Sequence, residues 1–131
     1  MKSKIVDTSV VIRYLTEDDQ NKADRAEKLF RDSKEGELEI PDIVFAEIVW
    51  VLGSFYDLEK PKILEKLKAL LAFEKIDMNR SVLERAIDTY ALENVEFIDC
   101  YLAALADDSG KDIVSFDEDF AVIKTIDRVA P

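Results

Sequence analysis

The sequence predicts an α/β domain with a central, mainly parallel sheet. Short apolar runs of strand length alternate with longer segments whose apolar residues recur at helical spacing. Proline or glycine marks the borders of several of these segments, and acids directly follow two of the apolar runs.

The elements follow in chain order. Lys4-Ile5-Val6 is a short apolar run that reads as a buried strand ending at Asp7. Thr8 to Leu15 reads as a helix opened by Asp7, Thr8 or Ser9 as N-cap. From Asp19 to Ser33, Ala23, Ala26, Leu29 and Phe30 recur at helical spacing among charges, and Gly36 stops that helix. Leu38-Glu39-Ile40 is a second strand, and Pro41 and Asp42 open a helix running to Tyr56. Pro61 to Phe73 forms an amphipathic helix with Ile63, Leu64, Leu67, Leu70 and Leu71 on one face. A strand is expected over Lys75 to Met78, then a helix to Glu93 with Ser81 and Glu84 as a capping box. Phe97 to Ser109 is a nearly uniformly apolar helix closed by Gly110. Asp112 to Ser115 reads as a strand, Asp117 to Val122 as a helical turn, and Ile126 to Val129 as a last strand. The whole is expected to be one domain, residues 1–131.

Composition excludes several chemistries. With 131 residues, 48% hydrophobic and 36% charged, the chain has the balance of a globular domain able to bury a core unaided. No signal peptide and no membrane span are expected, and the single Cys100 suits a reducing cytoplasm. The absence of histidine removes Ser-His-Asp triads, Cys-His dyads and His-ligated zinc. Gly36, Gly53 and Gly110 are isolated, so no phosphate-cradling glycine loop exists. What remains is carboxylates, hydroxyls, lysine and arginine, and such hard oxygen ligands suit Mg²⁺ or Mn²⁺. A net charge of −11 argues against a protein that simply coats nucleic acid, but not against a nuclease with clustered carboxylates.

Some acids sit where apolar residues belong. Glu47 is the one polar residue in Ile43-Val44-Phe45-Ala46-Glu47-Ile48-Val49-Trp50-Val51-Leu52, a helix apolar all round on which it is expected to be buried. Asp99 repeats the pattern in Phe97-Ile98-Asp99-Cys100-Tyr101-Leu102, and Asp7 follows a core strand. Asp117 and Asp119 come just after the Ile113 strand. Buried carboxylates pair, protonate or bind metal, and several in one cleft repel one another unless a divalent cation neutralises them. Each also has a plainer reading: Asp7 as an N-cap, Glu47 in an ion pair with Arg13, Asp99 as a helix cap, Asp119 as a cap or a solvated acid.

These positions carry a resemblance. Ile5-Val6-Asp7-Thr8-Ser9-Val10-Val11, Phe45-Ala46-Glu47-Ile48, Phe97-Ile98-Asp99-Cys100-Tyr101-Leu102-Ala103-Ala104-Leu105-Ala106 and Ile113-Val114-Ser115-Phe116-Asp117-Glu118-Asp119-Phe120 together resemble the PIN domain over nearly the whole chain. Within it they are most similar to the VapC-like toxins of toxin–antitoxin pairs. The resemblance implies a Rossmann-like three-layer α/β/α fold and an acidic constellation of Asp7, Glu47, Asp99 and Asp117, with Thr8, Ser9, Ser115 and Asp119 in support. It implies one or two Mg²⁺ or Mn²⁺ ions held by those acids, hydrolysis of RNA phosphodiester bonds, inhibition by a small antitoxin, and a homodimer. Cys100 stands where the family usually has a small residue after its third acid.

For substrate contacts, Lys60, Lys62, Lys66 and Lys68 read first as a solvated face complementing Glu59, Glu65 and Glu74. Lys2, Lys4, Arg13, Lys22 and Arg25 are alternative phosphate-binding candidates, and neither set has the aromatic interleaving of a stacking platform. The apolar residues Val11, Tyr14, Leu15, Leu29, Phe30 and Val51 are expected in the core, or in a groove taking an antitoxin segment. Competing readings are an RNA-processing nuclease, an inactive PIN-like interaction module, and a phosphatase or receiver. Haloacid-type phosphatases want Asp-x-Asp after the first strand, whereas Thr8-Ser9 follows Asp7 here.

Overall fold

The computed structural model describes residues 2–131. They divide into two units, one ending at Asn79 and the other spanning Arg80–Pro131. Helices and parallel strands make up both, the mixed α/β architecture the sequence predicts.

In the first unit, strand β1 (Lys4–Ile5) pairs in parallel with β2 (Leu38–Glu39), Lys4 opposite Leu38 and Ile5 opposite Glu39. Around them lie four helices, α1 (Thr8–Thr16), α2 (Gln20–Asp32), α3 (Asp42–Ser54) and α4 (Lys60–Leu71). Asp7 and Asp19 cap α1 and α2 by accepting the backbone N–H groups of Ser9 and Lys22, which satisfies otherwise unpaired first-turn donors. Gly36 takes a left-handed φ of 72° in the turn that returns the chain to β2. The strand expected over Lys75 to Met78 is a single bridge, Glu39 to Asp77. Ile76 N–H donates to the Phe73 carbonyl in a turn on one side, and the next helix begins at Arg80 on the other, leaving no length for a ladder.

The core of this unit joins aliphatic side chains and Phe45 to an aromatic trio. Phe45, Ile48 and Leu52 of α3 and Leu67 and Leu70 of α4 have no exposed surface. Tyr14, Phe30 and Phe73 meet edge to face with centroids 5.3–5.4 Å apart. Val11, Leu15 and Phe30 are thus core residues rather than walls of a groove, and only Leu29 of that set is exposed, at 40%. Lys66 Nζ donates to the Leu15 carbonyl at 2.5 Å, satisfying an orphan acceptor at the end of α1. Lys62 pairs with Glu65 at 3.6 Å, as the solvated-face reading holds, whereas Lys66 departs from it by bonding across to α1.

In the second unit, α5 (Arg80–Leu92) packs on α6 (Phe97–Ser109), and β3 (Ile113–Val114) pairs in parallel with β4 (Arg128–Val129) across a 3₁₀ helix, Glu118–Val122. Val95, Cys100, Ala103, Phe120 and Ile123 form its core with Tyr90, Ile113 and Ile126 against them. Gly110 ends α6 with φ 67°, as its place after Ser109 predicts. Ser81 is not an N-cap: α5 already includes Arg80, and the Ser81 hydroxyl donates to Asp108 of α6 at 2.8 Å. Arg85 and Asp107 add an ion pair at 3.0 Å between the same helices. No described helix is long and apolar enough to cross a membrane.

Candidate metal centre

Asp7 and Asp117 follow the carboxyl ends of the first strands of their units, where open α/β sheets form their sites, whereas Glu47 lies within α3 and Asp99 in the first turn of α6. In the first unit, β1 delivers Asp7 into the turn before α1. Its Oδ2 accepts the Ser9 hydroxyl at 2.7 Å and the Ser9 backbone N–H at 3.2 Å. These donors hold the Asp7 carboxyl below the usual carboxylate range, side-chain bond first, then the backbone bond. Asp7 is therefore the cap that its plainer reading names, and it is exposed. Thr8 is buried, whereas Ser9 is exposed beside the carboxylate.

Asp7 and Glu47 line one pocket of about 390 Å³, together with Ser9, Arg13, Phe55 and Tyr56. Glu47 is exposed, against expectation. The reason is the face it occupies: α3 buries Val44, Phe45, Ile48, Val49 and Leu52, while Ile43 and Trp50 remain 77% and 67% exposed. An apolar run therefore does not imply burial all round. The alternative ion pair of Glu47 with Arg13 does not form. Arg13 instead pairs with Asp18 at 3.0 Å, and Asp18 also accepts the hydroxyls of Tyr56 at 2.8 Å and Thr16 at 3.0 Å. Among the described residues Glu47 has no ion pair.

Sequence reasoning did not single out Asp18 or Tyr56. A local signal existed for Asp18, a short acid two residues after Thr16, whose hydroxyl it accepts at the end of α1. For Tyr56 there was none, since its bond to Asp18 spans 38 residues.

In the second unit, Ser115 and Asp117 follow β3. The Asp117 N–H donates to the Ser115 hydroxyl at 2.9 Å, and Asp117 Oδ1 accepts the Asp119 N–H at 2.8 Å, capping the 3₁₀ helix. Asp119 thus contributes its backbone to the cap, and its side chain is exposed. Asp99 lies in the first turn of α6, half-buried, while Glu96 occupies the N-cap position. Burial, then the charges of Asp117, Asp119 and Glu96, push the Asp99 carboxyl above the usual range. Among the described residues, no group of three or more His, Cys, Asp or Glu side chains forms a ready cage for a metal.

Carboxylate oxygen is nevertheless the donor chemistry that a hard divalent cation takes. Within the first unit Asp7 and Glu47 bring carboxylate oxygens to one pocket and Glu47 has no ion pair among the described residues, and within the second Asp99 carries repulsion that a cation would relieve.

Comparison with known proteins adds the following. A chain of a toxin–antitoxin complex from Klebsiella pneumoniae is 15% identical, with 95% of each chain covered and a TM-score of 0.34. A chain in the crystal structure of VapBC2 from Rickettsia felis bound to a DNA fragment from their promoter is 15% identical, with 96% of each covered and a TM-score of 0.38. No curated protein matches. The PIN domain, by contrast, matches residues 4–126, nearly the full length, and the chain belongs to the PIN-domain family.

Proposed function

We propose that the chain is a divalent-metal-dependent endoribonuclease and the toxin of a toxin–antitoxin pair, acting as a single PIN domain. The observation that carries the catalytic part is the pocket shared by Asp7 and Glu47, in which one carboxylate is fixed by Ser9 and the other has no ion pair among the described residues. Membership of the PIN-domain family and the absence of histidine support the same chemistry. The toxin assignment rests on the similarity of the four acidic segments to VapC-like toxins. A small antitoxin partner, a homodimer and a cytoplasmic location belong to that reading.

In this mechanism Asp7, Glu47, Asp99 and Asp117 are the carboxylates that hold Mg²⁺ or Mn²⁺. When bound, the cation neutralises them, acidifies a water and stabilises the charge that develops on the phosphate oxygens. Ser9 orients Asp7 through two donors, and Ser115 fixes the turn that presents Asp117. Arg13, paired with Asp18, which the Tyr56 hydroxyl also holds, supplies positive charge beside the Asp7 pocket, where a phosphate oxygen needs it.

The test is cleavage of single-stranded RNA with Mn²⁺ or Mg²⁺, against the same reaction in a chelator and against Asp99→Asn. Cleavage in the metal lanes alone, lost in the variant, is the expected result. A second reading, a PIN-like module without catalysis, draws on one observation: Asp7 and Asp117 already serve as N-caps. Absence of calorimetric Mn²⁺ binding would decide for it. Growth arrest on expression, relieved by a small protein encoded beside the gene, separates a toxin from an RNA-processing nuclease, and light scattering reads the dimer.

A further inference from the structure

The described surface of the first unit holds a second pocket, of about 490 Å³, between α1 and α2. Arg13, Lys22 and Arg25 line it with Val10 and Leu29, and no acid does. The chain as a whole carries 29 acidic and 18 basic residues, whereas this pocket is lined by three cations and no acid. Helical spacing explains how they meet. Lys22 and Arg25 stand three apart on α2, and Leu29 four further on, so the three share one face. Among the described residues Lys22 and Arg25 have no side-chain hydrogen bond or ion pair, although carboxylates are abundant on the same helix. Only Arg13 is paired, with Asp18. This pocket shares Ser9 and Arg13 with the pocket of Asp7 and Glu47, so the two are continuous along α1.

We infer that the Arg13–Lys22–Arg25 pocket is a subsite for the phosphodiester backbone of the RNA strand that flanks the cleaved bond. The inference rests on the nuclease reading and adds the residues that grip the substrate beside the acids. Unpaired cations on adjacent turns match successive phosphates, and Val10 and Leu29 give an apolar floor for sugar faces. With no aromatic side chain in the lining, the grip is on backbone charge rather than on stacked bases, so it is indifferent to sequence. An acidic peptide is the rival occupant. Continuity with the Asp7 pocket favours the nucleic acid, because a strand cut there must pass over the neighbouring surface.

The experiment compares wild type with the Lys22→Gln, Arg25→Gln double variant and the charge-conserving Lys22→Arg, Arg25→Lys variant. Binding of a labelled single-stranded RNA is read by anisotropy in chelator over a range of salt, and cleavage is read with Mn²⁺. The neutral variant is expected to bind about tenfold more weakly at low salt and to lose about 1.4 from the slope of log affinity against log salt, about 0.7 per phosphate contact. Its KM should rise more than its kcat falls, with the charge-conserving variant restoring binding at an unchanged melting temperature. Wild-type cleavage with unaltered affinity, slope and KM in the neutral variant overturns the subsite and leaves the nuclease standing. Loss of binding to a glutamate-rich amphipathic peptide, with RNA affinity intact, overturns it in favour of a protein-docking surface. If wild type neither binds nor cuts RNA, the nuclease reading falls and takes the subsite with it.

Discussion

Ser9 gives both of its donors to the same oxygen of Asp7, the hydroxyl at 2.7 Å and the backbone N–H at 3.2 Å. The first acid is thereby held in one rotamer and kept ionised before any cation arrives. Its pKa is lowered in the fold, so the stabilisation is present above the unfolded value of 3.8 and is lost as pH falls through the folded one. Ser9→Ala removes the larger of the two bonds. We expect the Asp7 carboxyl to titrate at higher pH in that variant by NMR, with a lower melting temperature at neutral pH and a smaller difference at low pH. Asp7→Asn keeps a competent cap, since asparagine serves there as well as aspartate. It should fold, gain no stability, and lose at least about 100-fold in RNA cleavage, the upper range for disturbing a metal ligand's environment.

Asp99 has the opposite sign. Its carboxyl is pushed up by burial and by Asp117, Asp119 and Glu96, so the folded state holds the proton more tightly than the unfolded chain. Stability therefore falls as pH rises from 3.8 through the folded value, and at neutral pH the ionised group opposes folding. Asp99→Asn should raise the urea midpoint at neutral pH and show little difference near the acid end. Mn²⁺ should stabilise wild type more than the variant, since the cation relieves a repulsion that asparagine no longer contributes. An unchanged midpoint at neutral pH would count against the repulsion.

Glu47 separates structure from function more cleanly. Exposed and without an ion pair among the described residues, it has little to contribute to folding. Glu47→Gln should leave the denaturation midpoint where it is, while calorimetric Mn²⁺ affinity falls at least about tenfold. A variant that binds Mn²⁺ like wild type would remove Glu47 from the ligand set.

Phe30 tests the core. It is 2% exposed and meets both Tyr14 and Phe73 edge to face. Phe30→Ala opens a cavity under two aromatic rings and should cost about 3–5 kcal/mol in chemical denaturation. Phe30→Leu keeps most of the volume and should cost clearly less.

Sequence made most of the helices legible because they carried two signals at once, an apolar period and a punctuating residue, which α5 lacks at Ser81. Asp19 before α2, Pro41 before α3 and Gly110 after α6 are such pairs. The strands were legible only as locations. Their length depends on where partner hydrogen bonds stop, and the Asp77 segment stops after one bridge. Burial failed at Glu47 for a related reason. Composition says how apolar a helix is, but neighbours decide which face is covered, and Ile43 and Trp50 stay exposed beside it. The acids at 7, 99 and 117 were readable as candidates because they follow strands or interrupt apolar runs. Their hydrogen bonds were not readable, since the same aspartate can cap a turn and face a pocket.

Gly110 isolates a purely conformational cost. It holds φ at 67° at the end of α6, and its N–H reaches back to the Asp107 carbonyl at 3.3 Å. A Cβ built there meets nothing within 4 Å, so no clash contributes. What remains is the left-handed backbone itself, which costs an L residue roughly 1–2 kcal/mol. Gly110→Ala should therefore destabilise by about that amount, and Gly110→Asn by less, because asparagine tolerates this region. Metal binding should be unaffected by either substitution, since Gly110 lies at the opposite end of α6 from Asp99. Equal stability of the alanine variant and wild type in urea would mean that the end of α6 relaxes to another cap in solution.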